Sequence, residues 1–337
     1  LFSKLSDRTI VTGGAGFIGS NLVRALNARG IDDIVIVDRL GRSTKWNNLV
    51  PLRFADYVEA DDFLEAFEAE PSAFGRVRRI FHLGACSATT EPDATYLVHN
   101  NYEYTKRIAR IALERGARFV YASSAATYGA REHGLSESIP GHELRPLNMY
   151  GYSKALFDAY AERNGWFDRI VGLKFFNIFG PGEAHKGDMR SLVHKAFGEI
   201  TATGRVRLFK SYKPEFVDGG QKRDFLYVDD AVAMALHLSD TETACGLYNI
   251  GSGEAHTWVE LVTPIFETLG LPVAIEYVEM PDSIRDKYQY FTQAELDRLR
   301  ASGYVRPITP LADAVAAYVR ILADASGVPS RTPARLS

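Results

Sequence analysis

Thr9-Ile10-Val11-Thr12-Gly13-Gly14-Ala15-Gly16-Phe17-Ile18-Gly19 is the stretch that decides the fold class. A short β-branched run leads into glycines at G-x-x-G-x-x-G spacing (Gly13, Gly16 and Gly19), and apolar residues at helical spacing continue from Phe17 to Arg29. Ile34 to Asp38 is the next β-branched run, so the segment predicts a β-α-β opening. A turn without side chains lets the backbone approach a diphosphate, whose charge is favoured by the free amides and dipole at the helix start. Asp38 follows at the end of the second strand, where a carboxylate accepts hydrogen bonds from an adenosine ribose. Taken alone, the glycines also suit a plain tight turn and Asp38 a solvent-facing cap. Arg39, Arg42 and Lys45 come next, and cations there suit a ribose 2′-phosphate. Asp38 favours NAD and the cations favour NADP; the local charge count leans to NADP and leaves NAD open.

Working outward, the alternation of strand and helix continues. Strands are predicted at Arg79 to Leu83, Phe119 to Ser123 and Ile170 to Phe176, with helices at Asp93 to Arg115 and Tyr150 to Arg163. The expectation is an α/β fold with a doubly wound parallel Rossmann-type sheet. After Gly180-Pro181-Gly182 the rhythm changes to a Lys- and Gly-rich loop, a helix from about Ser191 and a turn-rich stretch from Lys210 to Asp224. A helix over Asp229 to Leu238 and a strand over Leu247 to Ile250 return the chain to the main sheet. The expected division is 1–176 plus about 226–256 for the dinucleotide-binding domain and about 177–225 plus 257–323 for a smaller, discontinuous C-terminal substrate domain. Residues 324–337, rich in Gly, Pro, Ser and Arg, read as a frayed tail.

The 337 residues carry 39 basic and 42 acidic side chains, a net charge of −3, which argues against a nucleic-acid partner. Cys86 and Cys245 are too few and too far apart for a disulfide framework or a thiolate zinc site, so no metal site is expected. No run reaches the ~20 apolar residues that span a bilayer, and Leu1 to Ile10 lacks a signal-peptide layout. The expectation is a cytoplasmic protein without a membrane partner.

Tyr150-Gly151-Tyr152-Ser153-Lys154 puts a phenol and an ammonium four residues apart on one helix face. A nearby cation favours tyrosinate, and a shift of ~3 pKa units below ~10 needs ~4 kcal/mol of differential interaction. Ser124 ends a buried strand at the carboxyl edge where open α/β sheets bind ligands, placed to hydrogen-bond a reacting oxygen. Each feature alone is common; their order downstream of a glycine loop makes them a set.

The set Thr12 to Gly19, Ser123-Ser124, Tyr150-x-x-x-Lys154 and Asn177-Ile178-Phe179-Gly180-Pro181 resembles the extended short-chain dehydrogenase/reductase family. Gly84-Ala85-Cys86-Ser87-Ala88-Thr89-Thr90-Glu91, Glu183-Ala184-His185-Lys186-Gly187, Lys222-Arg223-Asp224-Phe225 and Lys287-Tyr288-Gln289-Tyr290-Phe291-Thr292-Gln293 resemble, within it, the ADP-heptose 6-epimerases. The resemblance implies an isomerase that inverts C6 of ADP-D-glycero-β-D-manno-heptose, a lipopolysaccharide inner-core precursor. Hydride passes to the nicotinamide and returns to the opposite face of a ketone. It implies Tyr150 and Lys186 as the two acid/base groups, Lys154 as the residue that orients the nicotinamide ribose and depresses Tyr150, and Ser124 as an aid. It further implies cofactor contacts from Phe17, Ile18, Asp38, Arg39, Lys45, Leu83, Gly84, Ala85, Cys86, Ser87, Asn100, Lys154, Ile178 and Lys186. Substrate contacts would come from Ser124, Asn177, Phe209, Lys210, Ser211, Tyr212, Arg223 and Tyr288. Asp188 and Lys195 also align with substrate contacts, Asp188 in place of a small hydroxyl and Lys195 beside His194 after a one-residue shift. Ala60 stands where some relatives carry a cofactor-facing lysine. The partner is thus a nucleotide sugar, ADP-heptose, and relatives form homo-oligomers, including homopentamers. Two other readings remain: another NAD(P)-dependent nucleotide-sugar epimerase or a dehydratase, the latter disfavoured because Ser124-Ala125-Ala126-Thr127 lacks a carboxylate, and a non-catalytic dinucleotide-binding sensor.

Overall fold

The structure, a computed structural model, describes residues 7–285 and 288–331, with the backbone alone for Ser283 and Ile284. Strand β1 (Arg8–Thr12) turns through the glycines into helix α1 (Phe17–Ala28), followed by β2 (Ile34–Asp38), β3 (Asp56–Glu59), α2 (Ala60–Ala69) and β4 (Val77–His82). A helical run of α3 (Ala94–Leu97), a π-helical segment (Val98–Glu103) and α4 (Tyr104–Glu114) leads to β5 (Arg118–Ser124), α5 (Met149–Arg163) and β6 (Ile170–Phe175). Then come β7 (Asn177–Phe179), α6 (Leu192–Thr203), β8 (Val206–Phe209), β9 (Lys222–Arg223), β10 (Phe225–Tyr227), α7 (Val228–Asp240) and β11 (Gly246–Ile250). Beyond them lie β12 (His256–Thr257), α8 (Trp258–Leu269), β13 (Ile275–Val278), α9 (Asp282–Arg285), α10 (Asp297–Ala301) and α11 (Leu311–Ser326).

Seven strands form one parallel sheet in the order β11-β6-β5-β4-β1-β2-β3. Every residue of β2 and of β6 is buried, because helices cover both faces; this is why these strands read as nearly continuous apolar runs. Side chains from α1 and α7 pack on one face around Leu22, Leu26, Met234 and Leu238. On the other face α2, α4 and α5 bring Phe63, Phe67, Ile108 and Phe157 against Ile80, Phe119 and Tyr121. The strand order reverses at β1, which pairs with both β2 and β4. A ligand crevice is expected outside the carboxyl ends at that switch.

A second core joins α6, α8 and α11 to β8 and β10 through Val193, Phe197, Leu208, Phe225, Ile265 and Tyr318. It is built from segments on both sides of α7 and β11, which themselves belong to the main sheet layer. Leu299 and Tyr304, inside the stretch expected for the smaller region, pack instead on the main core. The tail also differs from expectation: α11 runs on to Ser326, and Gly327 closes it at φ +65° with Val328 N–H donating to Ala323. Residues 332–337 of that tail, like 1–6 and Lys287, lie outside the described residues.

The single helix expected over Asp93 to Arg115 has a π-helical turn at Val98–Glu103. The wider turn buries the adjacent pair Asn100 and Asn101, which fall on different faces of a regular α-helix more readily than on one. Asn101 is the hub. Its side chain accepts from Cys86 N–H and Asn100, and donates to the Cys86 carbonyl and to Ser153 Oγ, which in turn donates to the Tyr150 carbonyl. Its own carbonyl accepts from Thr105 Oγ1 at 2.6 Å, which leaves Thr105 as acceptor for His82 Nε2–H at 2.8 Å. His82 Nδ1 then accepts from Thr12 Oγ1 at 2.7 Å, and Thr12 accepts from Gly84 N–H. The chain requires a neutral, Nε2-protonated His82. Burial, with Lys154 nearby, pushes this imidazole down to about 3.

Beneath β5 and β6 a buried ion pair joins Lys174 Nζ to Asp158 Oδ2 at 2.8 Å. Tyr121 Oη and Ser123 Oγ donate to the same carboxylate, and Lys174 also donates to Thr127 Oγ1. Every strong donor and acceptor there is used, so removing one partner leaves an uncompensated buried charge. Asp158→Ala is expected to cost about 3–5 kcal/mol in denaturant unfolding, with Asp158→Leu/Lys174→Met recovering most of it; equal losses for both variants would contradict the account. The unfolded state protonates His82 near 6.5 and the folded state near 3, so stability present above pH 6.5 is lost as pH falls through that window. Thermal melts of the protein and of His82→Gln between pH 8 and 4 should converge on acidification.

Candidate active site

The cleft lies where the fold predicts, over the carboxyl ends of β1, β4 and β5, and extends to the second core; its volume is about 720 Å³. Gly13, Gly16, Phe17, Ile18 and Gly19 form its floor. Gly13 has φ +69°, and a Cβ there would stand 2.6 Å from the Gly84 nitrogen; a Cβ on Gly19 would stand 2.1 Å from the Gly13 carbonyl oxygen. Only glycine permits the turn to fold back on the loop after β4. Helix α1 starts at Gly16 without a side-chain cap, so its first amides face the cleft rather than a capping oxygen. Leu83, Gly84, Ala85 and Ser87 line the opposite wall. This cradle fits the diphosphate of a dinucleotide.

Asp38 closes one end. Its carboxylate accepts from Ala15 N–H at 2.9 Å, from Arg39 N–H at 2.8 Å and from Lys45 Nζ at 2.7 Å. It therefore braces the glycine turn and is charge-matched by Lys45, which also lines the cleft. Arg39 turns away to Asp61 and to Asn100 Oδ1, over the Tyr104 ring. Arg39 and Asn100 thus form a second layer behind Asp38, and Cys86 is held by its backbone to Asn101 between two cleft residues. Ala60 is buried, away from the cleft lining, and its carbonyl accepts from the Tyr104 hydroxyl.

Tyr150 and Lys154 line the cleft from the first turns of α5, whose N-cap Asn148 accepts from Gly151 N–H. Ser124, at the end of β5, hydrogen-bonds the Tyr150 hydroxyl. Gly151 lets the helix approach this turn, since a Cβ there would stand 2.7 Å from the Ala126 carbonyl oxygen. Burial pushes the Tyr150 phenol up from 10.0, and the group that opposes this is Ser124, not Lys154. Lys154, itself buried, is pushed down to about 8 against the pull of Asp158 one turn along. The expected direct depression of Tyr150 by Lys154 is absent because desolvation dominates both groups.

Lys186 comes from the loop after β7. Burial holds its ammonium below the usual lysine range, opposed by the Glu183 carboxylate, and Nζ lies 5.4 Å from the centre of the Phe17 ring. The loop is pinned: fully buried Glu183 accepts from Ser191 N–H and Oγ at 2.6 Å each and from Tyr318. Asn21 Nδ2 donates to the Pro181 carbonyl, and Asn48 Nδ2 to the carbonyls of Ala15 and Gly182. The loop with Lys186 is thereby stitched to the glycine turn.

Asn177, Ile178, Lys195, Phe209 and Tyr288 line the far half of the cleft. Arg223 is buried behind them, over the rings of Tyr288 and Trp258. Its guanidinium donates to the Lys222 and Gln289 carbonyls and forms no salt bridge among the described residues. Asp224 is not its partner, for it accepts from Ser252, Gly253 and Ala294. Lys210 and Tyr212 are drawn to Glu279, and Ser211 is held by Asp218 and Lys213; all three stand outside the cleft. Asp188 is exposed and its carbonyl accepts from Lys195 Nζ at 3.3 Å. Sequence reasoning missed Trp258, Asn48, His185 and the Glu183 clasp. Only the Glu183-to-Gly187 motif carried any local signal for them. No group of three or more His, Cys, Asp or Glu side chains among the described residues is arranged for a metal, and no described helix is long and apolar enough to cross a membrane.

The chain is 49% identical over 312 residues to the ADP-L-glycero-D-manno-heptose-6-epimerase of Nitratidesulfovibrio vulgaris, covering 92% of this chain and 96% of that protein. It is 43% identical to the enzyme of the same name from Cupriavidus pinatubonensis, covering 94% and 98%. The structure resembles the Helicobacter pylori ADP-L-glycero-D-manno-heptose-6-epimerase with TM-score 0.79 and 26% identity over 96% of this chain and 98% of that one. The Thermotoga maritima UDP-glucose 4-epimerase shares the fold at TM-score 0.77 and 23% identity, over 95% and 99%. With residues 9–251 also matching the sequence pattern of that family, the chain belongs to the NAD dependent epimerase/dehydratase family.

Proposed function

We propose that this protein interconverts ADP-D-glycero-β-D-manno-heptose and ADP-L-glycero-β-D-manno-heptose at C6, as an isomerase in lipopolysaccharide core precursor synthesis. The reading is supported by the 49% identity to an enzyme of that name and by one feature of the cleft. Two proton-transferring groups, Tyr150 from α5 and Lys186 from the loop after β7, line the same cleft as the glycine turn. A nicotinamide dinucleotide held by the glycine turn and Asp38 would supply the hydride acceptor and donor for C6. Inverting that carbon presents the C6 oxygen in two orientations, and each needs its own acid/base group.

Tyr150 Oη serves one orientation. The Ser124 hydroxyl holds that oxygen and can share the proton as the C6 oxygen loses or regains one. Lys186 Nζ serves the other. Burial lowers the pKa of its ammonium and so eases loss of a proton, while Glu183 opposes that shift and favours the proton's return. Lys154, with Asp158 one turn along the helix, would hold the ribose of the nicotinamide with its ammonium. Arg223, fixed by two carbonyls and two rings behind the cleft lining and without a salt bridge among the described residues, brings positive charge towards the substrate diphosphate. Lys45, which lines the cleft beside Asp38, favours NADP over NAD in this reading, since it neutralises the carboxylate that otherwise repels a 2′-phosphate. The homo-oligomer implied by the family resemblance is checked by light scattering of the purified protein.

Purified protein incubated with ADP-D-glycero-β-D-manno-heptose, without added nucleotide, should produce the L-glycero epimer in proton NMR spectra. No change even after NADP and then NAD are supplied would overturn the assignment. Tyr150→Phe and Lys186→Met should each lower kcat by about 10²–10⁴-fold, and in Tyr150→Phe dinucleotide affinity should stay within a few-fold of the parent. Unchanged turnover in either variant removes that residue from the mechanism.

A further inference from the structure

His185 is the one cleft residue of the Glu183-to-Gly187 loop that the proposed chemistry leaves without a task. It lines the cleft with Lys186 and Lys45. Its Nδ1 lies 3.5 Å from Asn48 Nδ2, the amide that also donates to the carbonyls of Ala15 and Gly182. Both hydrogens of that amide serve the two carbonyls, so the imidazole lies beside the glycine turn without being bonded through Asn48, and its own backbone partner is Gly182. Ala15, the turn residue that Asn48 holds, is the one whose N–H donates to Asp38.

We propose that His185 is a phosphate ligand of the bound dinucleotide, its imidazolium pairing with a phosphate oxygen beside Lys45 and the uncapped start of α1. The inference rests on the dinucleotide reading of the cleft. The charged groups facing the ring are Lys45 from the 44–48 turn, Lys186 from its own loop and Asp38 from the end of β2. Burial, then the two lysines, hold the imidazole below its usual 6.5, opposed by its hydrogen bond to the Gly182 backbone and then by Asp38. A neutral ring without an anion becomes a cation with one. A phosphate neutralises Lys45 and Lys186 and adds a direct partner, both of which favour the imidazolium. Binding therefore takes up a proton at His185, and affinity rises as pH falls from about 8 towards 6; with NADP the 2′-phosphate's own second pKa, ~6, begins to reverse the trend there, whereas the diphosphate of NAD has no such ionisation. No bond is made or broken apart from this proton transfer from solvent.

The test is calorimetric and fluorescence titration of the nucleotide-stripped protein with NADP and, separately, NAD, between pH 6 and 8. Repeating the calorimetry in buffers of different ionisation heat counts the protons taken up. The parent should bind a fraction of a proton more than His185→Gln, which cancels the ligand's own titration. His185→Gln should bind about 10-fold more weakly at pH 6.5, the size expected for one charge-assisted hydrogen bond. His185→Arg, permanently charged, should keep the affinity and lose the pH dependence. A proton uptake confined to NADP assigns the ring to the 2′-phosphate, and uptake with both nucleotides assigns it to the shared diphosphate. Equal affinity and equal proton uptake in parent and His185→Gln overturn the proposal while leaving the dinucleotide reading standing. If a variant does not fold, the parent alone decides: binding with no proton uptake from either nucleotide overturns it. Failure of both nucleotides to bind the folded parent overturns the dinucleotide reading and the proposal with it.

Discussion

A single file of hydrogen bonds, from the Gly84 amide through Thr12, His82 and Thr105 to Asn101, ties the ends of β1 and β4 to the helix that carries Tyr150. The sheet reverses its order at β1, so no ladder bond connects its carboxyl end across the opening to α5. The buried chain does so, and it works in one protonation state because each hydroxyl donates in the same direction. The low local dielectric strengthens such a file when it is complete and penalises any break in it. The close approach of Gly13 to Gly84 depends on the same alignment, and with it the shape of the phosphate cradle.

The cleft is also a place where desolvation outweighs charge pairing. Lys154, Lys186, Arg223 and His185 are all pushed down by burial as the largest cause, while Asp158, Glu183 and Asp38 act only as partial counterweights. Tyr150 is pushed up by the same effect. Each pKa unit represents about 1.4 kcal/mol, so the protein holds several charged groups in a state that anionic ligands relieve. An acidic nucleotide sugar and a phosphate-bearing cofactor supply that relief. The folded scaffold offsets that cost through the apolar cores on both faces of the sheet and in the second region.

Much of this was legible along the chain because it is local. The β-branched runs of β1 and β2 and the glycines between them predict the opening unit. Tyr150 and Lys154 share a helix face by spacing alone, and Leu247 to Ile250 joins the main sheet as expected. The short β3 and its helix α2 escaped notice because Asp56–Glu59 is largely polar on an edge strand. The π turn escaped as well, since the sequence of Val98 to Glu103 has the same apolar spacing as an ordinary helix, and only packing of Asn100 and Asn101 distinguishes them. Lys210, Ser211 and Tyr212 stand outside the cleft because Glu279, Asp218 and Lys213 hold them, and these partners lie on the β8 side loop or far along the chain.

The sequence by itself determined the doubly wound sheet, the glycine cradle and the Tyr150 and Lys154 pair, because periodicity and backbone freedom are properties of neighbours in the chain. Tertiary structure alone decided which cations reach the cleft. Lys45 meets Asp38 there while Arg39 is drawn to Asp61, and Lys186 enters because Asn21, Asn48 and Glu183 clasp its loop. It also decided the direction in which Tyr150 shifts, for a pKa follows the water removed and the partners brought together by folding, and these come from residues that spacing along one segment does not relate.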